Sequence, residues 1–304
     1  MKFAQTVLGK INVEEMGITL YHEHLGMKPG PEEKFLPYTF DDPKKIANEL
    51  TLFKNSGGGT FVEMSPLNFG RDVKSYAEIS EKTGVHVLCC TGFHKKRFIP
   101  DWVYEKKDSE IRSVLLEEIN KGIDRTGIKA GVVKIGTSNK QIYPIEERII
   151  AIVSSVNKET NIPVSTHCDK GTMVLEQCDL FMKNNIKPER VLLGHTDIPN
   201  DVDTLKKICD MGFNVGIDHV GRDLENHDQT KIDMIRDLID GGYIEQLFIA
   251  GDMGKKDYLK TYGGKPGFDY IVTAFKDYLF ENGIDESQYQ KILIENTKRF
   301  FQTG

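Results

Sequence analysis

No apolar stretch in the 304 residues approaches the roughly 20 needed to cross a bilayer as a helix. The opening MKFAQTVLGKINVEEMG also lacks the continuous apolar centre of a secretory leader. Positive charge is not in excess: 40 Lys and Arg stand against 46 Asp and Glu, a net charge of −6. That balance disfavours a nucleic-acid backbone or an anionic membrane surface as partner. The five cysteines are an odd number and Cys89 and Cys90 are adjacent, which suits reduced thiols rather than a disulfide framework. No Pro-, Gly- or Ser-rich linker divides the chain, no repeat is evident, and no Gly-rich phosphate loop follows the first predicted strand. The expectation is one soluble, cytoplasmic domain over 1–304, long enough to bury a core without staples.

Eight short, β-branched runs are predicted strands: 17–25, 58–65, 85–92, 130–137, 162–168, 190–196, 212–218 and 246–252. Between them, segments such as DPKKIANELTLFKNSG, SEIRSVLLEEINKGI, EERIIAIVSSVNKET and DTLKKICDMG place apolar residues three and four apart, the spacing of amphipathic helices. Eight strands alternating with helices over roughly 250 residues predict an α/β chain folded as a (β/α)8 TIM barrel. The tail QKILIENTKRFFQTG is predicted to close it with a final helix. A doubly wound sheet is the rival, but its first strand would end in a phosphate loop, not in YHEHL.

The chemistry gathers at the strand ends. His22 and His24 are two apart, so a strand presents both to one face, whereas Glu23 points the other way and is expected to be tied to a polar partner. Lys134 interrupts the apolar run VVKIG, His167 closes PVSTH, His195 closes LLGH and Asp252 closes FIAGD. Singly each has a bland explanation: a hydrogen-bonded core histidine, an aspartate capping a loop, a lysine snorkelling to the rim. Together they sit on strands 1, 4, 5, 6 and 8, whose C-terminal ends meet at one barrel mouth. Buried charge without a partner is costly, so these groups must converge on each other or on an ion.

The set His22-x-His24, Lys134, His167, His195 and Asp252 resembles the phosphotriesterase branch of the amidohydrolase superfamily. The resemblance runs from TVLGKINVEEMGITLYHEHL to ENTKRFF, departing at Asn296-Thr297, where the branch often has Asn-Pro. It implies a metal-dependent hydrolase with two divalent metal ions, zinc above all, with manganese or cobalt also suited. His22, His24 and Asp252 would bind the more buried ion and His167 and His195 the more exposed one. Lys134 would bridge both as a carbamate, its ammonium otherwise repelling two cations. A hydroxide shared by the ions would attack an ester carbonyl, and Asp252 would be the catalytic residue that takes its proton. Branch members are often dimers, so a homodimer is the assembly the resemblance suggests.

Substrate choice should reside in the loops. GDMGKKDYLKTYGGKPG carries Lys255, Lys256, Lys260 and Lys265 interleaved with Tyr258 and Tyr262, next to Asp252. TGFHKKRF offers His94 and Lys95, and GIDHVGRD offers His219 and Arg222. The expected substrate contacts are His94, Lys95, Arg222, Lys255, Lys256, Tyr258, Lys260 and Tyr262, with the backbone around Gly254 as a further phosphate contact. His86 and His227 are expected to be structural or exposed. A local basic cluster in an acidic chain points to an anionic small molecule. TGFHK and GDMGKKDYLKTYGG resemble the subgroup that hydrolyses phosphorylated sugar lactones. The alternatives are hydrolysis of neutral lactones, amides or organophosphate esters, a Schiff-base lyase using Lys134, and a barrel that binds without catalysis.

Overall fold

The structure is a computed structural model that describes residues 2–28 and 38–303. The chain opens with an antiparallel hairpin, β1 (Phe3–Thr6) and β2 (Gly9–Asn12). Then β3 (Ile18–Glu23), β4 (Gly58–Glu63), β5 (His86–Gly92), β6 (Val132–Thr137), β7 (Val164–Cys168), β8 (Val191–Gly194), β9 (Asn214–Ile217) and β10 (Leu247–Ile249) form one parallel sheet in sequence order. Helices follow the strands: α1 (Pro43–Asn55) after β3, α2 (Val73–Thr83) after β4, and α3 (Trp102–Glu105) with α4 (Asp108–Asn120) after β5. α5 (Pro144–Thr160), α6 (Val174–Lys183), α7 (Val202–Asp210) and α8 (Gln229–Asp240) follow β6 to β9, and α9 (Ala274–Glu281), α10 (Glu286–Gln290) and α11 (Asn296–Phe301) come last. The sheet curls until the segment after β10 meets β3, where the Asp252 amide bonds to the His22 carbonyl at 3.1 Å. The result is the expected (β/α)8 barrel, with all eight expected strands present.

Local chemistry explains the element ends. Asp42 accepts the amides of Lys44 and Lys45 at 3.0 and 3.2 Å and Pro43 occupies the first helical turn, so α1 starts there. Asp201 caps α7 through the Thr204 amide at 3.1 Å. The N-terminal hairpin was not among the expected strands, because two four-residue strands joined at a tight turn make no apolar run. Strands 6 and 8 are shorter than expected, since His195 (φ 62°) and Asp252 (φ 46°) leave the extended region just past the ladder. Both are residues of the expected site.

Two cores flank the sheet. Strand residues facing outward pack under the helices, whereas Tyr21, Val62, Leu88, Val132, Leu192 and Phe248 fill the barrel together with Ala4, Val13, Phe300 and Phe301. Phe248 lies 5.9 Å from the Tyr21 ring and 5.5 Å from the Phe300 ring, so the hairpin and α11 seal the N-terminal end. The Phe3 and Thr303 backbones bond reciprocally and tie the two ends together. The opposite end stays open and polar.

Gly92 governs how closely β5 approaches β6 at that mouth. Its φ is 101°, and a Cβ there would lie 2.0 Å from the Lys134 carbonyl oxygen, which accepts the Phe93 amide at 2.9 Å. Gly92→Ala therefore combines backbone strain with overpacking, and a loss of about 3 kcal/mol in stability is expected. A lower urea midpoint at unchanged m-value would show it, and an unchanged midpoint would contradict the close approach.

Candidate metal centre

A cavity of about 360 Å³ opens at the C-terminal ends of the strands, and His22, His24, Lys134, His167, His195 and Asp252 all line it. Their other contacts orient them. His24 Nδ1 donates to Ser65 Oγ at 2.9 Å, Ser65 Oγ donates to Glu63 at 2.6 Å, and His24 Nε2 donates to Asp252 Oδ1 at 3.2 Å, so both ring nitrogens are held by partners that a cation at Nε2 would displace on one side only. His195 Nδ1 donates to Asp218 at 2.9 Å, and its backbone amide donates to the same carboxylate. His22 Nδ1 lies 3.1 Å from the other Asp218 oxygen, outside hydrogen-bond geometry, and its Nε2 lies 2.8 Å from Lys134 Nζ. Tyr21 donates to Asp218 at 2.7 Å; a Cβ on Gly216 would overlap that hydroxyl, so β9 carries no side chain there. Glu23 accepts the Gly251 and Met253 amides, the polar tie expected of it.

Burial and neighbours separate the proton affinities of the polypeptide itself. Burial, then the Lys134 charge, pushes His22 down to about 3, and burial lowers Lys134. Burial and adjacent imidazoles hold His94 and His167 well below the histidine range. Burial opposes ionisation of Asp252 and Asp218, yet the His24 hydrogen bond and the His195 charge, respectively, hold them well below the carboxylate range. Burial also works against charged His24 and His219, but carboxylate partners lift them to about 9 and about 10. Burial raises Glu23 to about 7.

Four His/Asp groupings among the described residues are candidate metal-binding clusters: His22–His24–Asp252, His195–His219–Asp252, His22–His195–Asp218 and Asp197–Asp218–His219, each with ligand atoms within 4.8 Å of one another. His167 belongs to none of them, but its ring centroid is 4.4 Å from that of His195 and its buried Nε2 has no hydrogen-bond partner among the described residues. Inward lone pairs, histidines held from behind by carboxylates, and an orphaned imidazole nitrogen fit divalent cations. Asp218, Asp197, Glu63 and Ser65 were not among the expected site residues. GID and HTD, with acids one and three residues past a strand end, are the sequence signals for Asp218 and Asp197. Glu63 and Ser65 carry no such mark.

The expected substrate contacts divide. His94, Lys95, Arg222, Lys255 and Tyr258 line the cavity; Lys256, Lys260 and Tyr262 do not. Lys95 pairs with Asp169 at 2.7 Å and is neutralised. Lys260 pairs with Asp269 at 2.6 Å, the Tyr262 hydroxyl accepts the Asp42 amide at 3.1 Å, and Lys256 and Lys265 are exposed. Two short turns, Lys256–Tyr258 and Lys260–Tyr262, rotate these side chains away, and Glu49 of α1 pins the loop through the Thr261 amide at 2.8 Å. The Gly254 amide is likewise spent, on the Asp252 carbonyl at 2.9 Å. Two cations remain on the pocket wall. The Arg222 guanidinium stacks 3.7 Å from the Tyr258 ring centroid and bonds the Asp252 carbonyl, leaving a buried Nη1 with no hydrogen-bond partner among the described residues. Lys255 has no carboxylate partner among them.

Known proteins share this arrangement of chain. The profile of the phosphotriesterase family matches residues 1–301. A crystal structure of a lactonase from Listeria monocytogenes superposes with a TM-score of 0.94 at 29% identity, covering 99% of both chains. The phosphotriesterase homology protein of Escherichia coli, complexed with phosphate in its active site, superposes with a TM-score of 0.90 at 31% identity, covering 95% of this chain and 99% of that one. The phospho-furanose lactonase of Mycoplasmopsis synoviae is 30% identical over 321 residues, 98% of this chain and 91% of its own. The chain therefore belongs to the phosphotriesterase family, metal-dependent hydrolases acting on ester bonds.

Proposed function

We propose that this hydrolase opens a phosphorylated sugar lactone. The observation that carries the reading is a pair of cations on the wall of the same cavity as the imidazole cluster: Arg222, paired to Asp252 through Nη2 but with a buried Nη1 lacking a hydrogen-bond partner, and Lys255, without a carboxylate partner, both among the described residues. A guanidinium nitrogen and an ammonium without partners among the described residues suit a phosphate, and Tyr258 fixes the guanidinium plane. Two of the similar proteins support it: one is named a phospho-furanose lactonase and another holds phosphate in its active site. A neutral organophosphate would leave both cations unused.

On this reading His22, His24 and Asp252 hold the more buried of two divalent cations, zinc by donor type, and His167 and His195 hold the other. Lys134, whose burial already disfavours the ammonium, would complete the ligand set as a carbamate. When bound, such cations supply Lewis acidity toward the lactone carbonyl and an activated water. The chain does the rest. Arg222 and Lys255 anchor the phosphate and so fix the ring relative to the cluster. Met27, Phe69 and Phe98 give the sugar carbons an apolar wall. Asp252, whose carboxylate lies among these rings, would accept a proton from the water. Its Oδ2 faces His219 Nε2 at 3.8 Å, and Asp197 holds the far side of that ring at 2.9 Å, so the charged His219 ring steadies the Asp252 carboxylate.

Side-by-side kinetics on a sugar lactone and its phosphate ester are expected to favour the ester at least about 100-fold in kcat/KM, the worth of two charge-assisted contacts; equal rates would overturn the substrate assignment. Lys255→Ala is expected to raise KM for the ester about tenfold or more while kcat holds. Replacing His219 by Asn is expected to cost about tenfold in kcat by releasing the Asp252 carboxylate, and an unaffected kcat would remove His219 from that role. Elemental analysis is expected to find two equivalents of zinc-type metal per chain. Chelation should abolish hydrolysis and lower the melting temperature, and zinc should restore both. Full activity in metal-free protein would refute the mechanism.

A further inference from the structure

Three successive amides after β10 are held by two residues of β3. The Gly251 amide donates to Glu23 Oε1 at 2.6 Å, the Asp252 amide to the His22 carbonyl at 3.1 Å, and the Met253 amide to Glu23 Oε2 at 2.9 Å. This seam is where the barrel closes, and it carries no strand ladder, because β10 ends at Ile249. Asp252 stands in the left-handed region at φ 46°, a conformation that a non-glycine residue keeps only when its surroundings over-determine it. Glu23 is fully buried, and both carboxylate oxygens are used on the amides flanking Asp252. A Cβ on Gly251 would come within 3.0 Å of Glu23 Oε1, so the glycine admits the carboxylate.

We infer that Glu23 is a positioning residue: by bracketing Asp252 it sets the backbone turn that aims the Asp252 carboxylate at His22 and His24. The alternation of a strand makes this possible, since 22 and 24 face the cavity while 23 faces the seam. A carboxylate suits the task because it is acceptor-only and can serve two amides at once. One dipeptide thus presents His22 and fixes Asp252, which locks the two side chains in mutual register. The inference rests on Asp252 being a metal ligand.

Glu23→Gln tests it, because the amide nitrogen would oppose one of the two backbone N–H groups. Zinc-loaded Glu23→Gln protein is expected to lose metal to a chelator at least about tenfold faster than the unsubstituted protein. Its kcat should fall about 10- to 100-fold with KM within about twofold, the scale seen for partners that orient metal ligands. A lower melting temperature with unchanged metal retention and unchanged kcat would overturn the inference. Should the variant fail to fold, hydrogen exchange in the unsubstituted protein decides. The Gly251 and Met253 amides are expected to exchange at least about 100-fold more slowly than in an unfolded chain, and free exchange at either would overturn the bracket. Unsubstituted protein that binds no metal would sink the ligand reading of Asp252, whereas a loaded protein and an equally retentive variant would sink the role of Glu23 alone.

Discussion

The Asp218 carboxylate is the interaction on which the mouth of the barrel depends. It is fully buried, and it gathers the His195 backbone and ring, the Tyr21 hydroxyl and the near edges of His22 and His219 from three strand ends. A carboxylate out of water must find donors, and these donors happen to be rings whose other nitrogens are needed in the cavity. Satisfying Asp218 therefore orients two of the imidazoles before any cation arrives. Glycines at 194 and 216 supply the room: a Cβ at 194 would lie 2.9 Å from the Asp218 carboxylate, and one at 216 would displace the Tyr21 hydroxyl.

The cavity has an imidazole-lined half and a cationic wall, which meet where Arg222 contacts Asp252. His24 is backed by Ser65 and Glu63, His195 by Asp218 and His219 by Asp197, so the carboxylates that support the rings stand behind them. Lys95 is matched to Asp169. Arg222 differs, because it spends one nitrogen on Asp252 and keeps Nη1 without a hydrogen-bond partner among the described residues. Substrate charge and metal charge would then be met by separate groups on one compact surface. The loop bearing Lys255 and Tyr258 is itself held by Glu49, so its position depends on a helix remote from the chemistry.

The fold was legible because its signal is repeated. Eight apolar runs at regular spacing survive errors of one or two residues at each boundary, and all eight became strands. The strand-end residues His22, His24, Lys134, His167, His195 and Asp252 were legible for a related reason: a polar side chain closing a buried strand has few innocent explanations, and barrel geometry brings such ends together. The basic loop was less readable. Its four lysines look equivalent in sequence, yet short 3-10 turns leave only Lys255 at the cavity and give Lys260 to Asp269.

By itself the sequence determined the layer order of the barrel, the strand each imidazole stands on, and the acidic balance that makes a local cationic patch informative. Those properties depend on residues near one another in the chain, where periodicity and strand pleat act directly. Only the tertiary structure decided which groups stand behind the rings, which lysine is free, and how the barrel seam is closed. Tyr21 meets Asp218 across 197 residues and Glu23 meets Gly251 across 228. Pairings at that range follow from closure of the sheet and the demand that every buried polar group find a partner, and no local pattern encodes them.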